Sequence, residues 1–406
     1  MIFNVRILIG LVLVGLLLSV PFGLSSAWQG VVTRMLIAAL FATGYNLLLG
    51  QAGLLSFGHA AFYGIGAIAT MHVMIGIERG AFYIPLPLLP LVGAGAGLVL
   101  AFIAGLFATK RSGTYFALVT LAMAELIHVI APMWNSVFGG EAGLTSMRMP
   151  SLGVNFDSAA QVYVLVLAWS ALGIGFLWFL SRTAFGQLAL ALKGNEQRLK
   201  FLGFDTYKNK VLVFAVSGMI GGLAGSLLSI STESASYTLF SPEVSTQVVF
   251  YTFIGGSAFF FGPAIAAAVL VALPYQLSNY SHAWPLYQGM LFMVVMLTTP
   301  LGIGGLLDQA ASDRTRNLAT RSFKRLLLGI AAVALMAVCI ESAQRLSRRA
   351  LLASIADNAG LWLALAGVLG IAAFVLRRRF FASGASRHAL VGKLTAFRNG
   401  IRPNSQ

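Results

Sequence analysis

Hydrophobic residues run along this chain in long blocks separated by short polar gaps. A helix needs about 20 mostly apolar residues to cross the hydrocarbon core of a bilayer. Blocks that meet or approach this length fall at residues 4–21, 31–50, 57–75, 85–109, 114–131, 160–180, 211–230, 245–256, 262–279 and 284–302. No alternating segments of the kind that build a membrane barrel occur. The pattern predicts an all-α polytopic integral membrane protein with about ten transmembrane helices, some short or discontinuous. The block at 245–256 is short for a crossing and runs into a Gly-rich stretch before the next apolar run. Hydrophobic segments broken by Gly or Pro mark discontinuous helices. A similar break lies within 44–67. Both regions carry a Gly-rich turn, a Phe-Gly pair (Phe57–Gly58 and Phe261–Gly262) and then a run of small residues, which hints at an internal repeat. Ordinary Gly-mediated helix contacts would read the same way.

Composition fits this picture. The 406 residues are 58% hydrophobic and 10% charged, with mean hydropathy +0.85, where a soluble domain carries about 25% charged residues. The net charge of +15 could point to nucleic acid, but the basic residues sit in short gaps and in the tail. Membrane lipid is therefore an expected partner and nucleic acid is not. Basic gaps face the cytoplasm. The gap Ser181–Lys210 holds six Lys or Arg against two acids and sets the orientation. The Lys110–Arg111 gap and Arg6 then also fall inside, so the N-terminus is predicted to be cytoplasmic, with 132–159 and 231–244 outside. The Ser25–Ser26–Ala27 run loosely resembles a signal-peptidase site, but with so many blocks behind it the first block reads as a retained helix. The transmembrane domain is assigned to 1–303. A basic extension, 304–406, carries apolar runs at 326–340 and 359–376, read as a weak hairpin or interfacial helices, and a tail expected to be disordered. The lone Cys339 excludes an intrachain disulfide.

Candidate chemistry is sparse. No G-x-x-x-x-G-K-[ST] nucleotide loop is present, the five histidines show no metal-ligand spacing, and no hydrolase triad is visible. No catalytic residue, metal or cofactor is expected, and a membrane enzyme is disfavoured. Ionisable groups inside spans are functional candidates. Glu125 and His128 share a helical face three residues apart; they could line a translocation path or gate, or simply tether helices. His59 follows the first Gly-rich turn and could gate the path or brace the turn. Asn46 could bond across helices in the same region. The long, polar 132–159 segment reads as an external docking loop or a solvated connector. Within Ser181–Lys210, Phe185, Leu188, Leu192, Leu199 and Leu202 recur at near-helical spacing, and Gly203 suits a helix stop. An amphipathic helix lying on the membrane and presenting a cytoplasmic surface is expected there.

Ordered blocks then carry a resemblance: GYNLLLGQAGLLSFGHAAFYGIGA (44–67), GTYFALVTLAMAEL (113–126), the glycine-rich 138–145, FGQLALALKGNEQRLKFLGF (185–204), YKNKVLVFAVSGMIGGLAGSLL (207–228) and VFYTFIGGSAFFFGPAIAAAVL (249–270). Over roughly 30–303 the chain resembles the LivM/LivH-type permease subunits of branched-chain amino-acid ABC importers, the LivM-like half more closely. The resemblance implies a homologous second permease subunit, two cytoplasmic ATPase subunits that hydrolyse the ATP, and a periplasmic or extracellular solute-binding protein, in a bacterial inner membrane. It implies that 181–210 docks on the ATPase through Phe185, Gly186, Ala191, Asn195, Glu196, Leu202 and Gly203. It implies branched-chain or other hydrophobic amino acids as solute, with urea, short amides or aromatic acids as alternatives. A stand-alone secondary transporter using Glu125 and His128 is the competing class. Two positions depart from the family pattern: Lys193–Gly194 replaces Arg-Glu, and Gly139–Gly140–Glu141–Ala142–Gly143 replaces Gly-Gly-x-(Asn/Asp)-Gly.

Overall fold

The computed structural model describes residues 15, 17–151, 155–278, 283–299 and 301–305, with scattered positions between 323 and 337. Most of the predicted first span and the apolar run at 359–376 lie outside the described residues; of the run at 326–340, residues 326–331, 333, 334 and 337 are described, and they are helical. The chain divides into compact units at residues 1–331 and 332–406; the first is described here. In order, α1 is Ser26–Asn46, continued by a π-helical turn Leu47–Gln51; α2 is His59–Glu78, α3 Leu89–Ala108, α4 Thr114–Ile130 and α5 the single turn Asn135–Phe138. Then come α6 (Ala159–Arg182), α7 (Ala184–Gly194), α8 (Glu196–Phe201), α9 (Thr206–Thr232), α10 (Pro242–Gly255), α11 (Gly262–Leu277) and α12 (Trp284–Thr298).

Seven helical stretches among the described residues are long and apolar enough to span a membrane: 26–51, 59–78, 86–108, 114–133, 159–182, 206–232 and 284–305. The 14-residue α10 and 16-residue α11 are about 21 and 24 Å long at 1.5 Å per residue. Each falls short of the roughly 30 Å hydrocarbon core. They are the discontinuous pair that the Gly-rich break predicts.

The centre of the bundle is α9, packed on α2 and α3 through glycine. A Cβ on Gly222 would run into the Gly93 carbonyl and lie 2.8 Å from Gly97 Cα. A Cβ on Gly66 would meet the Gly222 backbone, and one on Gly225 the Tyr63 carbonyl. Gly93–Gly97 and Gly218–Gly222 are both G-x-x-x-G steps, the spacing that lets membrane helices approach backbone to backbone. The outward face of α3 (Leu91, Leu98, Phe102, Ile103) is apolar and exposed, as a lipid-facing stripe must be.

Side-chain bonds gather the gaps into two groups at opposite ends. At one end, which holds the basic gaps, Lys210 reaches Ser112 and Glu196, and Lys193 reaches Gly50. At the other, β1 (Leu144–Thr145) pairs antiparallel with β2 (Ser234–Ala235). There the Arg148 guanidinium donates to the Ile230 and Ser231 carbonyls at 3.1 and 3.3 Å and lies 3.2 Å from Glu233. A cation over the last carbonyls of α9 satisfies groups the helix leaves open. Ser146 adds a 2.7 Å bond to Glu78. The segment around 139–151 is thus a built clasp. Gly139, Gly140 and Gly143 have φ of 75°, 64° and 75°, a region that favours glycine. The departure at Glu141–Ala142 falls on exposed positions between them.

Candidate functional site

Polar groups concentrate at three levels of the bundle. The first is a joint between the two broken regions. After the π turn, the chain runs non-helical from 52 to 58 and re-enters as α2 at His59. Backbone of that kind inside a membrane must find partners in the protein. Tyr45 Oη donates to the Ser56 carbonyl at 2.8 Å, and the Phe57 N–H donates to Thr120 Oγ1 at 3.2 Å. His59 is fully buried, with Nε2 2.8 Å from Ser217 Oγ and Nδ1 3.2 Å from Ser56 Oγ. The Ser217 hydroxyl donates to the Gly44 carbonyl, which assigns the ring proton to Nε2. Asn46 is buried, and its Nδ2 donates to the Phe259 carbonyl at 3.2 Å, in the turn joining α10 to α11. A Cβ on Gly50 would strike both Asn46 Oδ1 and the Ser257 carbonyl. The two segments that look alike in sequence therefore meet face to face, with Asn46 between them and His59 holding the first turn.

The second level lies farther from the basic end. Thr120, bonded to Phe57, stands six residues into α4, and Ser217, bonded to His59, stands seven residues beyond Lys210. At 1.5 Å per residue both place the start of α2 about 9–10 Å inside the basic end. Ser245 Oγ accepts from the Ala60 N–H at 2.9 Å, and a Cβ on Gly64 would touch the buried Phe240 ring at 2.6 Å. Glu243 therefore sits between those levels, about 15 Å from the basic end along the helices. Glu125, eleven residues into α4, reaches about 16 Å by the same rise. Glu243 and Gln247 are exposed on α10, and Glu125 is half-buried. Glu125 and His128, although three residues apart on α4, do not bond to each other. The His128 ring lies 5.8 Å from that of Tyr237 and its Nδ1 makes no hydrogen bond, because Tyr237, in the short helical turn before α10, packs against that flank of α4. Sequence reasoning places Glu243 in an external gap. The signal missed is the apolar pair Leu239–Phe240 just before it, which draws the chain back into the bundle.

The third level is the basic segment. The expected continuous helix across 185–202 is broken. α7 ends at Gly194, Asn195 is extended (φ −162°), and its side chain accepts from the Arg198 N–H at 3.0 Å to cap α8. Gly194, where the family pattern has Glu, is a poor helix former, and the break falls there. Gly203, at φ 84°, stops α8. Phe185 is half-buried against the core and Gly186 fits only without a side chain, since a Cβ would hit the Ser181 backbone. Ala191, Asn195, Leu202 and Gly203 face outward, beside Leu190 and the 90% exposed Phe201. Glu196 faces inward. Its carboxylate takes Lys210 Nζ at 2.6 Å and Lys200 Nζ at 3.1 Å, and Thr206 Oγ1 donates to it at 3.3 Å. Partial burial raises the Glu196 pKa, but the hydrogen bonds and charges of Lys210 and Lys200 outweigh that and hold it below the ordinary carboxylate value. A cleft of about 630 Å³ opens beneath, lined by Lys110, Ser112, Glu196, Lys200 and Lys210 among others. Among the described residues no group of His, Cys, Asp or Glu could hold a metal.

A multi-pass bundle with interrupted helices meeting in its interior and an apolar-tipped basic segment at one end has the architecture of membrane transport proteins. Residues 8–300 match the model of the family described as branched-chain amino acid transport system / permease component, and the chain belongs to that family. It is 26% identical over 309 residues to the high-affinity branched-chain amino acid transport system permease protein LivM of Salmonella typhimurium, covering 70% of this chain and 71% of the relative. It is 25% identical to LivM of Escherichia coli, with the same coverage. A more distant likeness, 29% over 236 residues, covers 56% of this chain and 63% of the L-arabinose ABC transporter permease protein AraH of Azospirillum brasilense. No solved structure matches at a significant level. The chain is a permease subunit of an ABC importer.

Proposed function

We propose that this subunit moves branched-chain or other hydrophobic amino acids inward across a bacterial inner membrane. It pairs with a homologous second permease subunit, and two ATPase subunits dock on 181–210 and hydrolyse the ATP. A periplasmic or extracellular binding protein delivers the solute. The basic end is cytoplasmic, as is the N-terminus. The observation that supports this reading best is the exposure of Glu243 and Gln247, at the second level of the bundle, on the isolated subunit. Lipid is a poor neighbour for a carboxylate, so a second protein surface and a wet path cover it. Glu125 and His128 belong to the same wall. Asn46 and His59 form the joint at its cytoplasmic side. The outward face of Leu190, Ala191, Phe201 and Leu202 is where an ATPase seats, while Phe185, Gly186 and Glu196 fix that face to the bundle. The test is reconstitution of this chain with its partner permease, ATPases and binding protein in liposomes. Leucine uptake that requires both ATP and the binding protein is the expected result. Uptake by this chain alone, driven by an ion gradient without ATP, would establish the secondary-transporter reading, to which an unpaired Glu125 lends support. ATP-driven uptake of urea, a short amide or an aromatic acid with no response to leucine would keep the importer and change its solute.

A further inference from the structure

The basic segment is held to the bundle by two separate polar anchors, one on each side of its break at Gly194–Asn195. Glu196, on α8, is tied to Lys210 at the foot of α9, and Lys210 in turn donates to Ser112 in the turn between α3 and α4 at 2.8 Å. Lys193, on α7, reaches elsewhere. Its ammonium donates to the Gly50 carbonyl at 2.9 Å, and a Cβ on Gly53 would lie 3.0 Å from its Cγ, so the lysine stem lies along that turn. Among the described residues this is the one side-chain hydrogen bond that leaves α7 for the transmembrane helices. Its acceptor belongs to the π-helical end of α1, where the last carbonyls lack helical partners and a cation is favoured. Gly50 itself is wedged against Asn46 Oδ1 and the Ser257 carbonyl, beside the Asn46–Phe259 bond.

We infer that Lys193 is a positioning residue that carries displacement of the docking helix α7 to the joint between the two broken helices, through Gly50 and Asn46. The inference rests on the importer reading and adds a named route to it. α7 and α8 are separate helices, so movement at the ATPase surface has two outlets. The Glu196 anchor leads into α9 and the α3–α4 turn. The Lys193 anchor leads to the joint where the two Gly-rich breaks touch, at Gly50 and Asn46. Arg at this position has the reach and charge to make the same bond.

The experiment uses the reconstituted four-component complex and reads solute moved per ATP hydrolysed. Lys193→Met removes the ammonium from a side chain that is largely exposed, so folding and assembly are spared. Expected is a fall in transport per ATP of roughly tenfold, within the range of allosteric couplings, with basal hydrolysis and solute affinity of the binding protein unchanged. Lys193→Arg restores the ratio to within about twofold of wild type, and Asn46→Ala combined with Lys193→Met adds little to either alone, as members of one route do. Wild-type coupling in Lys193→Met, or full additivity with Asn46→Ala, would overturn the route while leaving the importer intact. A wild-type complex with no ATP-driven uptake would instead remove the importer reading and this inference with it.

Discussion

Glu196 shows how a single carboxylate can fix a surface helix. Burial disfavours its charge, yet Lys210 and Lys200 hold its pKa below the 4.5 expected of a free glutamate. A group whose folded pKa is depressed stabilises the native state above its unfolded pKa and loses that contribution as pH falls through the folded value. Glu196→Gln should therefore lower the melting temperature of the purified protein at pH 7. The gap from wild type should narrow as pH drops below about 4.5 and close once Glu196 is protonated. A gap that stays constant down to pH 3 would show that the ion pairs do not matter. Glu196 was legible in the sequence only as a member of the docking motif. Its inward aim was not, because its partners Lys210 and Ser112 lie 14 and 84 residues away. Lys193 was visible only as a departure from a pattern. His59 and Asn46 were legible as residues at a Gly-rich break, since polar groups near unwound backbone in a membrane have few other uses.

At the scale of elements, long apolar runs made most helices readable, and Gly-rich breaks marked the two interrupted regions. Packing was not readable. Gly93, Gly97, Gly218 and Gly222 look like many other small residues in the chain, and only the structure shows which of them touch. Gly222→Ala should destabilise the subunit by about 1–3 kcal/mol, the usual cost of forcing volume into a filled contact, because its Cβ has backbone on the far side. Gly95→Ala, on the facing α3 but with nothing within 4 Å of its Cβ, should be neutral or stabilising by up to about 1 kcal/mol, from helix propensity alone. Thermal unfolding of both variants in detergent checks the contrast; equal melting temperatures would refute the close contact. The single docking helix expected across 185–202 became two for a local reason, the Gly194–Asn195 pair, and the resulting cap by Asn195 has the ordinary N-cap form.

For the whole molecule, the depth of Glu243 matters most. In the sequence, residues 231–244 form one external gap because charge and turn residues cluster there. Instead the chain clasps β1 through Ser234–Ala235, buries Phe240 on α2, and starts α10 at Pro242, beside the first turn of α2. If this level lines a wet path, Glu243→Cys in a Cys339→Ser background will react with water-soluble methanethiosulfonates in the assembled importer. The cationic reagent should react several-fold faster than the anionic one, since a carboxylate at Glu125's depth attracts positive charge. Leu98→Cys, on the lipid face of α3, should stay unmodified. Labelling of Glu243→Cys as slow as that of Leu98→Cys would place the carboxylate away from water and remove the wall.

The contact among α2, α3 and α9 also bears on the entropy of assembly. Ordering most side chains at a helix interface freezes rotamers, at a cost of up to about 2 kcal/mol for long ones. Glycine has no rotamers to freeze. Its usual penalty, the backbone freedom lost on becoming helical, falls earlier, because a segment in lipid satisfies its backbone as a helix before it meets a neighbour. Where Gly93, Gly97 and Gly222 come together, docking therefore gains dispersion contact between backbones with little conformational freedom left to lose.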